Sequence, residues 1–449
     1  MSDPPGTGAG EALLVDLYEL TMAASYFAEV MFHSATFELF VRDLPPQRNF
    51  LVACGLEPAL RYLETLRFSE ADLDYLRGLE LFEDAFLGHL EELRFTGEVW
   101  AVPEGDVVFP SEPLLRVTAG LIEAQVVETY LLNCVNFSTM IASKAARVAI
   151  SCRGRPFVDF SARRDHGADA ALFAARAAFI GGAAATSNVL AGRMFSIPVT
   201  GTMAHSYVAA FSDEADAFTA FARRFPKAPV LLIDTYDTLE GARRAASVAD
   251  ELAREGIGVR AVRIDSGDLG SSAFEVRRIL DAAGHPEIEI FASGDLDEYR
   301  IEALLAGEER AVAPIDGFGV GTQLGTSGDV SSLGTVYKLV EDASGPRFKL
   351  SPGKATLPGK KQVYRLSDGA TYREDLVVPA GDPAPPGGRP LLERVMAGGR
   401  RLGPYPGLVQ IKERCRHAVA CLPEPLRSLR PAQPYRVTLA PSLLVRDRR

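Results

Sequence analysis

Six short clusters of polar and small residues recur along the middle of the chain, each close to the end of an apolar run. They are Phe160-Ser-Ala-Arg-Arg164, Thr200-Gly-Thr-Met-Ala-His205, Asp234-Thr-Tyr-Asp237, Arg263-Ile-Asp-Ser-Gly-Asp268, Ser293-Gly-Asp295 and Gly317-Phe-Gly-Val-Gly-Thr322. Guanidinium groups bind phosphates or aromatic planes, and carboxylates bind ribose hydroxyls or Mg²⁺. Backbone N–H groups in glycine-rich turns bind phosphate oxygens. The residue types therefore indicate a site for a ligand that carries phosphate and hydroxyl groups.

The apolar runs associated with these clusters predict a parallel β-sheet. They occupy residues 156–160, 197–199, 230–233, 259–264, 288–291 and 315–318, and Ala-rich helical stretches follow them. Recurrence at about thirty residues is what successive strand-helix units with a parallel sheet require. We therefore expect an irregular α/β barrel, with the polar clusters at the carboxyl ends of its strands.

The glycine-rich segment 316–325 is a candidate phosphate-binding turn. Gly319, Gly321 and Thr322 come late in the barrel, where such folds bind phosphate, and Ser293-Gly294 one strand earlier favours the same interpretation. A simple tight turn is the alternative. The segment contains no Gly-x-Gly-x-x-Gly, and residues 353–360 have five residues between their glycines instead of the four of a P-loop. A bound ATP would have to be held in another way.

Arg263 and Asp265 are two residues apart, so at a strand end both side chains point to the same side. The pair suits a phosphate or ring together with ribose hydroxyls or Mg²⁺. The alternative interpretation is an Asp that caps the next helix beside a solvated Arg, and Asp268 fits that cap.

His205 follows a strand-like stretch and a turn of small residues, which would leave one ring nitrogen accessible. A lone histidine is commonly a satisfied structural residue. Asp234, at the next predicted strand end, is placed to hold one ring nitrogen and leave the other nucleophilic. We therefore predict His205 to be a phosphoryl acceptor supported by Asp234.

The composition excludes several classes of protein. A net charge of −11 offers no basic face for a nucleic acid. The five cysteines are widely spaced, without a Cys-x-x-Cys pair, which predicts reduced thiols in a cytosolic protein and no zinc site. No apolar run approaches the roughly 20 residues needed to span a bilayer. The Gly- and Pro-rich start does not resemble a signal peptide.

The chain is predicted to divide into a disordered tail at 1–12, an α+β domain at 13–150, the α/β barrel at 151–340 and a C-terminal extension at 341–449. A helix near 11–26 and a strand at 35–41 open the first domain, and a long helical segment near 120–149 closes it. Residues 379–390 are expected to form an exposed loop, and a final helix near 408–421 to pack back on the body.

Longer motifs resemble the nicotinate phosphoribosyltransferase family, a branch of the type II phosphoribosyltransferases. They are Asp-Leu-Tyr-Glu-Leu-Thr-Met at 16–22, Phe-Glu-Leu-Phe-Val-Arg at 37–42, Ser-Asn-Val-Leu-Ala-Gly at 187–192, Gly-Thr-Met-Ala-His-Ser at 201–206, Asp-Ser-Gly-Asp at 265–268, Gly-Val-Gly-Thr at 319–322, Val-Tyr-Lys-Leu at 336–339 and Pro-Gly-Lys-Lys-Gln-Val-Tyr at 358–364. The match runs over most of the chain.

This resemblance implies a role for individual residues. Tyr18, otherwise a packing aromatic on a helix face, would reach in from a neighbouring subunit and sandwich the pyridine ring with Phe160, so that a homodimer completes each site. Arg163 would lie beside the ring. Arg263 and Asp265 would engage the ring side and the ribose hydroxyls. The 5-phosphate would be held by Ser293, Gly294, Gly319, Gly321 and Thr322, and Arg42 and Lys338 would bind pyrophosphate or ATP across the dimer.

The resemblance also implies the reaction. Nicotinate and phosphoribosyl pyrophosphate would give nicotinate mononucleotide and pyrophosphate in NAD salvage, with Mg²⁺ and with ATP hydrolysed through a phosphohistidine at His205. Related enzymes that use nicotinamide carry an Asp near the position of Ser187, so Ser187 favours the acid. Rival interpretations are a nicotinamide or quinolinate phosphoribosyltransferase, a barrel aldolase or isomerase, and an inert binding protein. No predicted strand end presents the lysine that a Schiff-base aldolase needs.

Overall fold

The computed structural model describes residues 11–306, 311–348 and 356–444. Its helices are α1 (Leu17–Ala28), α2 (Leu56–Thr65), α3 (Glu70–Gly78), α4 (Asp84–Glu92), α5 (Leu121–Val126), α6 (Glu128–Ser151), α7 (Ala168–Ile180), α8 (Val189–Phe195), α9 (His205–Ala209), α10 (Glu214–Arg224), α11 (Thr238–Arg254), α12 (Leu269–Ala282), α13 (Glu298–Ala306), α14 (Thr322–Gly325), α15 (Leu408–Ala420) and α16 (Pro441–Leu444). No helix within these described ranges is long and apolar enough to cross a membrane.

The strands are β1 (Ser34–Val41), β2 (Leu51–Val52), β3 (Glu98–Ala101), β4 (Val107–Val108), β5 (Pro113–Gly120), β6 (Phe157–Asp159), β7 (Ala185–Thr186), β8 (Val230–Leu232), β9 (Ala261–Ile264), β10 (Glu289–Ala292), β11 (Gly317–Val320), β12 (Thr335–Asp342), β13 (Gly345–Pro346), β14 (Lys361–Asp368), β15 (Thr371–Pro379), β16 (Arg389–Pro390), β17 (Glu393–Ala397), β18 (Arg400–Arg401) and β19 (Val437–Leu439). Most of the predicted tail lies outside the described residues, but Glu11–Leu13 form a short 3₁₀ helix with Ala12 buried.

The chain forms two compact units. Unit 1 combines Met1–Ser143 with Val330–Arg449, and unit 2 is the continuous segment Lys144–Asp329. The predicted C-terminal extension therefore belongs to the same compact unit as the N-terminal domain, and the barrel unit both begins and ends earlier in the chain than the predicted 151–340. This division differs from the prediction because β12, β14 and β17 are sheet strands, which the Pro- and Gly-rich composition after Lys338 obscured.

Unit 1 is built on a seven-stranded sheet in the order β13-β12-β1-β5-β3-β17-β18. The central strand β1 is buried along most of its length and pairs antiparallel with both β5 and β12, so that Glu38 lies opposite Lys338. β17 pairs with β3, which joins the C-terminal segment to the first domain. Asn49 adds hydrogen bonds from its side-chain amide to the carbonyls of Ser428 and Arg430. The prediction that the C-terminal extension packs back is confirmed.

Unit 2 contains a six-stranded parallel sheet in the order β7-β6-β11-β10-β9-β8, a half-barrel with helices between successive strands. The predicted α/β fold class is confirmed. Helix α11 shows why these segments fold: Ala242, Ala245, Ala249 and Leu252 recur at helical spacing and are buried. Asp237 begins this helix by accepting a hydrogen bond from the backbone N–H of Glu240.

One predicted strand is absent from this sheet. Residues 197–199 make a single bridge between Val199 and Thr186, whereas Ala185–Thr186 form β7 beside β6. Pro198 has no N–H to donate to a ladder, although its carbonyl accepts from the N–H of Thr186. The other five runs form β6 and β8 to β11, with ends shifted by a few residues from the predicted ones.

Candidate active site

A cleft of about 210 Å³ opens at the carboxyl ends of the parallel strands in unit 2. It is lined by Phe160, Arg163, Arg164, Arg263, Asp265, Ser293, Gly294, Asp295, Gly319, Gly321 and Thr322. Nine of these are residues that the sequence singled out for ring, ribose or phosphate binding; Arg164 and Asp295 are the additions. Because the carboxyl ends of parallel strands share one edge of the sheet, residues far apart in the chain meet here.

Arg263 is the centre of the hydrogen-bond network in this cleft. Its Nε donates to Ser293 Oγ over 2.7 Å and its Nη2 lies 2.7 Å from Asp265 Oδ1, so the predicted Arg-Asp alternation does place both groups together. Its Nη1 donates to Thr202 Oγ1 over 2.8 Å and more weakly to the Met203 carbonyl. One guanidinium thus joins three separate segments of the chain.

The carboxyl group of Asp265 is held in its charged form. Burial by itself would raise its pKa, but the charge of Arg263, hydrogen bonds from Ser293 and Arg263 and the neighbouring His205 outweigh burial, so the pKa lies below its ordinary value. Asp265 Oδ2 remains directed toward His205. Asp265 is therefore a carboxylate suited to accept hydrogen bonds from hydroxyl groups.

Phe160 forms an aromatic platform beside Arg263. The guanidinium carbon of Arg263 lies 5.4 Å from the ring centre of Phe160, close enough for a cation-π contact. The ring also lies against Gly319, where an added Cβ would be 2.5 Å from it. At this position a side chain would displace the ring, so the glycine keeps one edge of the platform in place.

The turn after β10 approaches the loop after β9 closely. Gly294 has φ +98, and an added Cβ would come within 2.0 Å of the Asp265 carbonyl oxygen. The Ser293 hydroxyl is engaged inside the cleft, because Oγ accepts from Arg263 and donates to Asp265 Oδ1 over 2.5 Å. Ser293 thus holds the Arg263-Asp265 pair in place.

His205 begins helix α9 and its side chain is 44% exposed. Its Nδ1 lies 3.1 Å from Thr235 Oγ1, and its Nε2 lies 3.8 Å from Asp265 Oδ2. One ring nitrogen thus contacts a hydroxyl, and the other faces Asp265, a carboxylate of the cleft lining. His205 itself is not among the residues that line the cleft, so the structure orients its imidazole toward the cleft through these two neighbours.

The predicted hydrogen bond between Asp234 and His205 is wrong. Asp234 Oδ2 accepts from the backbone N–H of Asp265 over 2.9 Å and from Ser266 Oγ over 2.6 Å. Thr235, the next residue, faces the imidazole because successive residues at a strand end point to opposite sides. Asp234 therefore positions the loop that carries Asp265 and acts on His205 only through that loop.

Other predicted residues take their places around this rim. Ser187 follows β7, is half-buried, and its N–H donates to the Asp159 carbonyl; it does not line the cleft. Asp268 caps helix α12 by accepting from the N–H of Ser271, as the alternative interpretation of that residue held.

Arg163 and Arg164 are exposed at the cleft and make no ion pair with any described residue of unit 2. The turn that carries them is anchored by Asp159, whose carboxylate accepts from both the N–H and the hydroxyl of Ser161. Asp165 closes this turn; burial, and then the charge of Asp159, raise its pKa to about 6. Two cations are thus presented to solvent from a firmly held turn, which suits an anionic ligand.

Three predicted residues, Tyr18, Arg42 and Lys338, lie in unit 1. Tyr18 is half-exposed on α1, and burial followed by the charge of Glu128 raises its pKa. Burial raises the pKa of Glu128, and the charge of Lys338 opposes that shift. Glu128, which also accepts from Gln125 Nε2, thus lies beside both Tyr18 and Lys338. No motif in the sequence pointed to this carboxylate.

Comparisons with known proteins identify relatives of this chain. Residues 13–136 match the model of the nicotinate phosphoribosyltransferase N-terminal domain. A nicotinate phosphoribosyltransferase of Mycobacterium tuberculosis is 50% identical over 419 residues, which cover 93% of this chain and 89% of that protein. The nicotinate phosphoribosyltransferase of Bacillus subtilis is 43% identical over 81% of this chain and 75% of its own length.

Two solved structures share the fold over nearly the whole chain. Human nicotinic acid phosphoribosyltransferase superposes with a TM-score of 0.85 and 30% identity, covering 96% of this chain and 98% of that one. A nicotinate-nucleotide pyrophosphorylase from Pyrococcus furiosus superposes with a TM-score of 0.74 and 25% identity, covering 94% and 97%. With its cleft, its oriented histidine and these relatives, the chain belongs to the nicotinate phosphoribosyltransferase family.

Proposed function

We propose that this nicotinate phosphoribosyltransferase of NAD biosynthesis couples its reaction to ATP hydrolysis through a phosphohistidine at His205. The observation that supports the coupling is the placement of the imidazole, with Nδ1 on Thr235 and Nε2 facing Asp265 in the cleft. A histidine serving only the fold would be expected to have both nitrogens engaged and its ring buried.

In the transfer step the pyridine nitrogen of nicotinate attacks C1 of the ribose while the bond from C1 to the pyrophosphate oxygen breaks. The ring nitrogen becomes quaternary, pyrophosphate leaves with the bonding electrons, and no proton is exchanged. Nicotinate is a weak nucleophile, so positive charge develops on the ribose before the new bond is complete. Asp265, held charged, takes the ribose hydroxyls and stabilises that positive charge.

The nicotinate ring stacks on Phe160, and Tyr18 of a neighbouring copy covers its other face, so the working enzyme is a homodimer with shared sites. Tyr18 is suited to this role by its half-exposed position on α1. Arg163 pairs with the carboxylate of nicotinate, which explains an exposed arginine without an ion-pair partner in the described part of unit 2. Ser187 leaves that carboxylate unopposed, whereas an Asp would repel it.

The 5-phosphate is bound by the turns that contain Ser293, Gly294, Gly319, Gly321 and Thr322. These residues line the cleft, and their glycines allow a phosphate to come close to the backbone, although the N–H of Ser293 itself donates to the Ile264 carbonyl. Arg42 and Lys338 of unit 1 bind pyrophosphate or ATP in the dimer.

Mg²⁺ fits this site as an ion carried by the substrate. The described residues hold no group of three or more His, Cys, Asp and Glu able to enclose a metal. Asp265 and Asp295 line the cleft, and Mg²⁺ is commonly bound by one or two carboxylates plus substrate phosphates. When bound, the ion neutralises charge on pyrophosphate.

In the ATP half-reaction Nε2 of His205 attacks the γ-phosphorus and ADP leaves; water later takes the phosphoryl group and restores the imidazole. Thr235 holds Nδ1, which keeps Nε2 directed at the cleft. We also propose a cytoplasmic location, because ATP and the other substrates are available there. All five cysteines lie in the described residues and none forms a disulfide, which suits that location.

The decisive experiment follows product formation from nicotinate and phosphoribosyl pyrophosphate with and without ATP. We expect His205→Ala to lose ATP stimulation and keep slow ATP-independent turnover. With γ-labelled ATP, the wild-type protein should take up label that is labile in acid and stable in base. His166→Ala, which removes an exposed imidazole that contacts neither Thr235 nor Asp265, is the matched control and should keep both properties. Undiminished ATP stimulation in His205→Ala would refute the proposal.

The preference for the acid has its own test. Ser187→Asp should lower kcat/KM for nicotinate relative to nicotinamide by about tenfold or more, since one like-charge contact is worth at least ~1.4 kcal/mol here. Ser187→Asn, of similar size and without charge, separates repulsion from crowding. Equal losses in both variants would remove Ser187 as a determinant of specificity.

A further inference from the structure

One hydrogen bond joins the loop that carries His205 to the arginine of the cleft. Arg263 Nη1 donates to Thr202 Oγ1 over 2.8 Å, and the Thr202 hydroxyl donates in turn to the Met203 carbonyl over 3.1 Å. Both roles of the hydroxyl are therefore used. Thr202 lies three residues before His205 and is not part of the cleft lining.

The loop has few other attachments. Within the described residues, the hydrogen bonds of residues 201–204 run among themselves, to the first turn of α9, or to Arg263. Met203 adds a buried side chain. Arg263 is thus the only hydrogen-bond partner of residues 201–204 that lies in another strand-helix unit of the described structure, and Thr202 makes the shorter of the two contacts. His205 itself also contacts Thr235.

Arg263 is also the residue that holds the substrate side of the cleft. The same guanidinium pairs with Asp265, donates to Ser293 and lies over the Phe160 ring. A displacement of Thr202 therefore changes the position of Arg263. That side chain holds Asp265, the carboxylate proposed to bind the ribose hydroxyls, and lies beside the Phe160 ring. The link is direct and passes through a single side chain.

Phosphorylation of His205 would displace the loop that contains Thr202. Nε2 of His205 lies 3.8 Å from Asp265 Oδ2. A phosphoryl group on that nitrogen carries close to two negative charges and would face a carboxylate, so repulsion drives the imidazole and its loop away from Asp265. Thr202 moves with the loop, and Arg263 must follow it or exchange partners.

We propose that Thr202 is a positioning residue that transmits the phosphorylation state of His205 to Arg263 and so to the affinity for phosphoribosyl pyrophosphate. This rests on the phosphohistidine proposed above. The hydrogen bond between Arg263 and Thr202 takes no part in the transfer reaction. It affects how strongly ATP changes the affinity for phosphoribosyl pyrophosphate. Coupling of this kind is a difference of affinities between two states of one element.

The test compares Thr202→Val with Thr202→Ser. Valine matches the shape of threonine without its hydroxyl, whereas serine restores the hydroxyl. We expect Thr202→Val to take up label from γ-labelled ATP at His205, but the ATP-dependent change in KM for phosphoribosyl pyrophosphate should shrink by about tenfold relative to wild type, equivalent to ~1.4 kcal/mol of coupling. Thr202→Ser should retain at least half of the wild-type change.

The outcomes separate the two proposals. No acid-labile label in the wild-type protein overturns the phosphohistidine and, with it, this coupling. Normal label together with a full ATP effect on KM in Thr202→Val overturns the role of Thr202 alone. Thr219→Val, the same change on α10 away from the cleft lining, should behave as wild type. If Thr202→Val does not fold, Thr202→Ala replaces it in the same comparison.

Discussion

Two arginines, one in each unit, differ in their burial and in the groups to which they donate hydrogen bonds. Arg365 of unit 1 is fully buried, with Nε and Nη2 on Asp375 and Nη1 3.3 Å from Asp106 Oδ1. Arg263 of unit 2 is 12% exposed and divides its donors among a carboxylate and two hydroxyl groups. Arg365 is bound to carboxylates alone, and Arg263 is bound mostly to neutral partners.

The difference indicates how a structural cation can be told from a functional one. Around Arg365 the carboxyl groups are buried too, and burial together with the charge of Asp375 raises the pKa of Glu112 well above its ordinary value, which favours its neutral form. Such a network is stable only when complete. Arg263 pairs with Asp265, and the cleft lining contains three arginines against two aspartates, Asp265 and Asp295, which leaves an excess of positive charge for a ligand.

Removing the buried arginine should give the largest effect. Arg365→Met leaves the buried Asp375 without its cation, whereas Asp106 keeps Arg389, and we expect unit 1 to lose about 3–5 kcal/mol of stability, measured as a lower denaturant midpoint. Arg373→Met, an exposed arginine on the neighbouring strand, should cost less than about 0.5 kcal/mol. Equal midpoints for the two variants would contradict a structural role for Arg365.

Substituting Arg263, the cleft arginine, should reduce catalysis much more than stability. Arg263→Lys keeps the charge but loses the fork of donors, and we expect kcat/KM to fall about 100-fold while stability changes by less than about 1 kcal/mol. Arg260→Lys, exposed and paired with Glu289 just before the same strand, is the control and should leave kinetics unchanged. A large loss of stability without a kinetic effect would place Arg263 in the same class as Arg365.

Substituting Asp165 should have the smallest effect on stability of the three variants, and that effect should depend on pH. No arginine or lysine in the described residues bonds to Asp165, whose pKa is raised from its ordinary 3.8 to about 6. The folded protein therefore keeps a proton that the unfolded chain has lost, so stability falls as pH rises from about 4 to 6 and stays lower above that. Asp165→Asn removes this dependence.

At about pH 7.5 we expect Asp165→Asn to be more stable than wild type by roughly 1 kcal/mol, and the difference to shrink toward pH 4. Denaturant midpoints at several pH values measure it, with exposed Asp382→Asn as the control. A difference that is constant with pH would show that the carboxyl group is not the cause.

Local sequence patterns were sufficient for much of unit 2. Apolar runs ending in small or polar residues located five of its six parallel strands, and the cap residue Asp268 marked the start of α12. Fold-level rules then placed the polar clusters at one rim. This succeeds because strand, turn and cap preferences act over a few residues.

Contacts between distant segments were not predictable in the same way. The partner of His205 depended on whether residue 234 or 235 faces the ring, a difference of one residue that reverses a side chain's direction. The pairing of β12 with β1 joins residues almost 300 positions apart, and its register is set by burial in the whole sheet. Glu128 lies beside Tyr18 and Lys338 only when α1, α6 and β12 are folded together.

The discontinuity of unit 1 bears on how the protein is made. A ribosome delivers residues 1–143 first, yet β1 lacks one of its two neighbouring strands until residues 335–342 have emerged. The continuous segment 144–329 is complete before that, so we expect it to acquire its native structure first during translation, although the usual order favours the amino-terminal portion. Until then the nascent chain would carry an apolar strand edge, the kind of surface that chaperones bind.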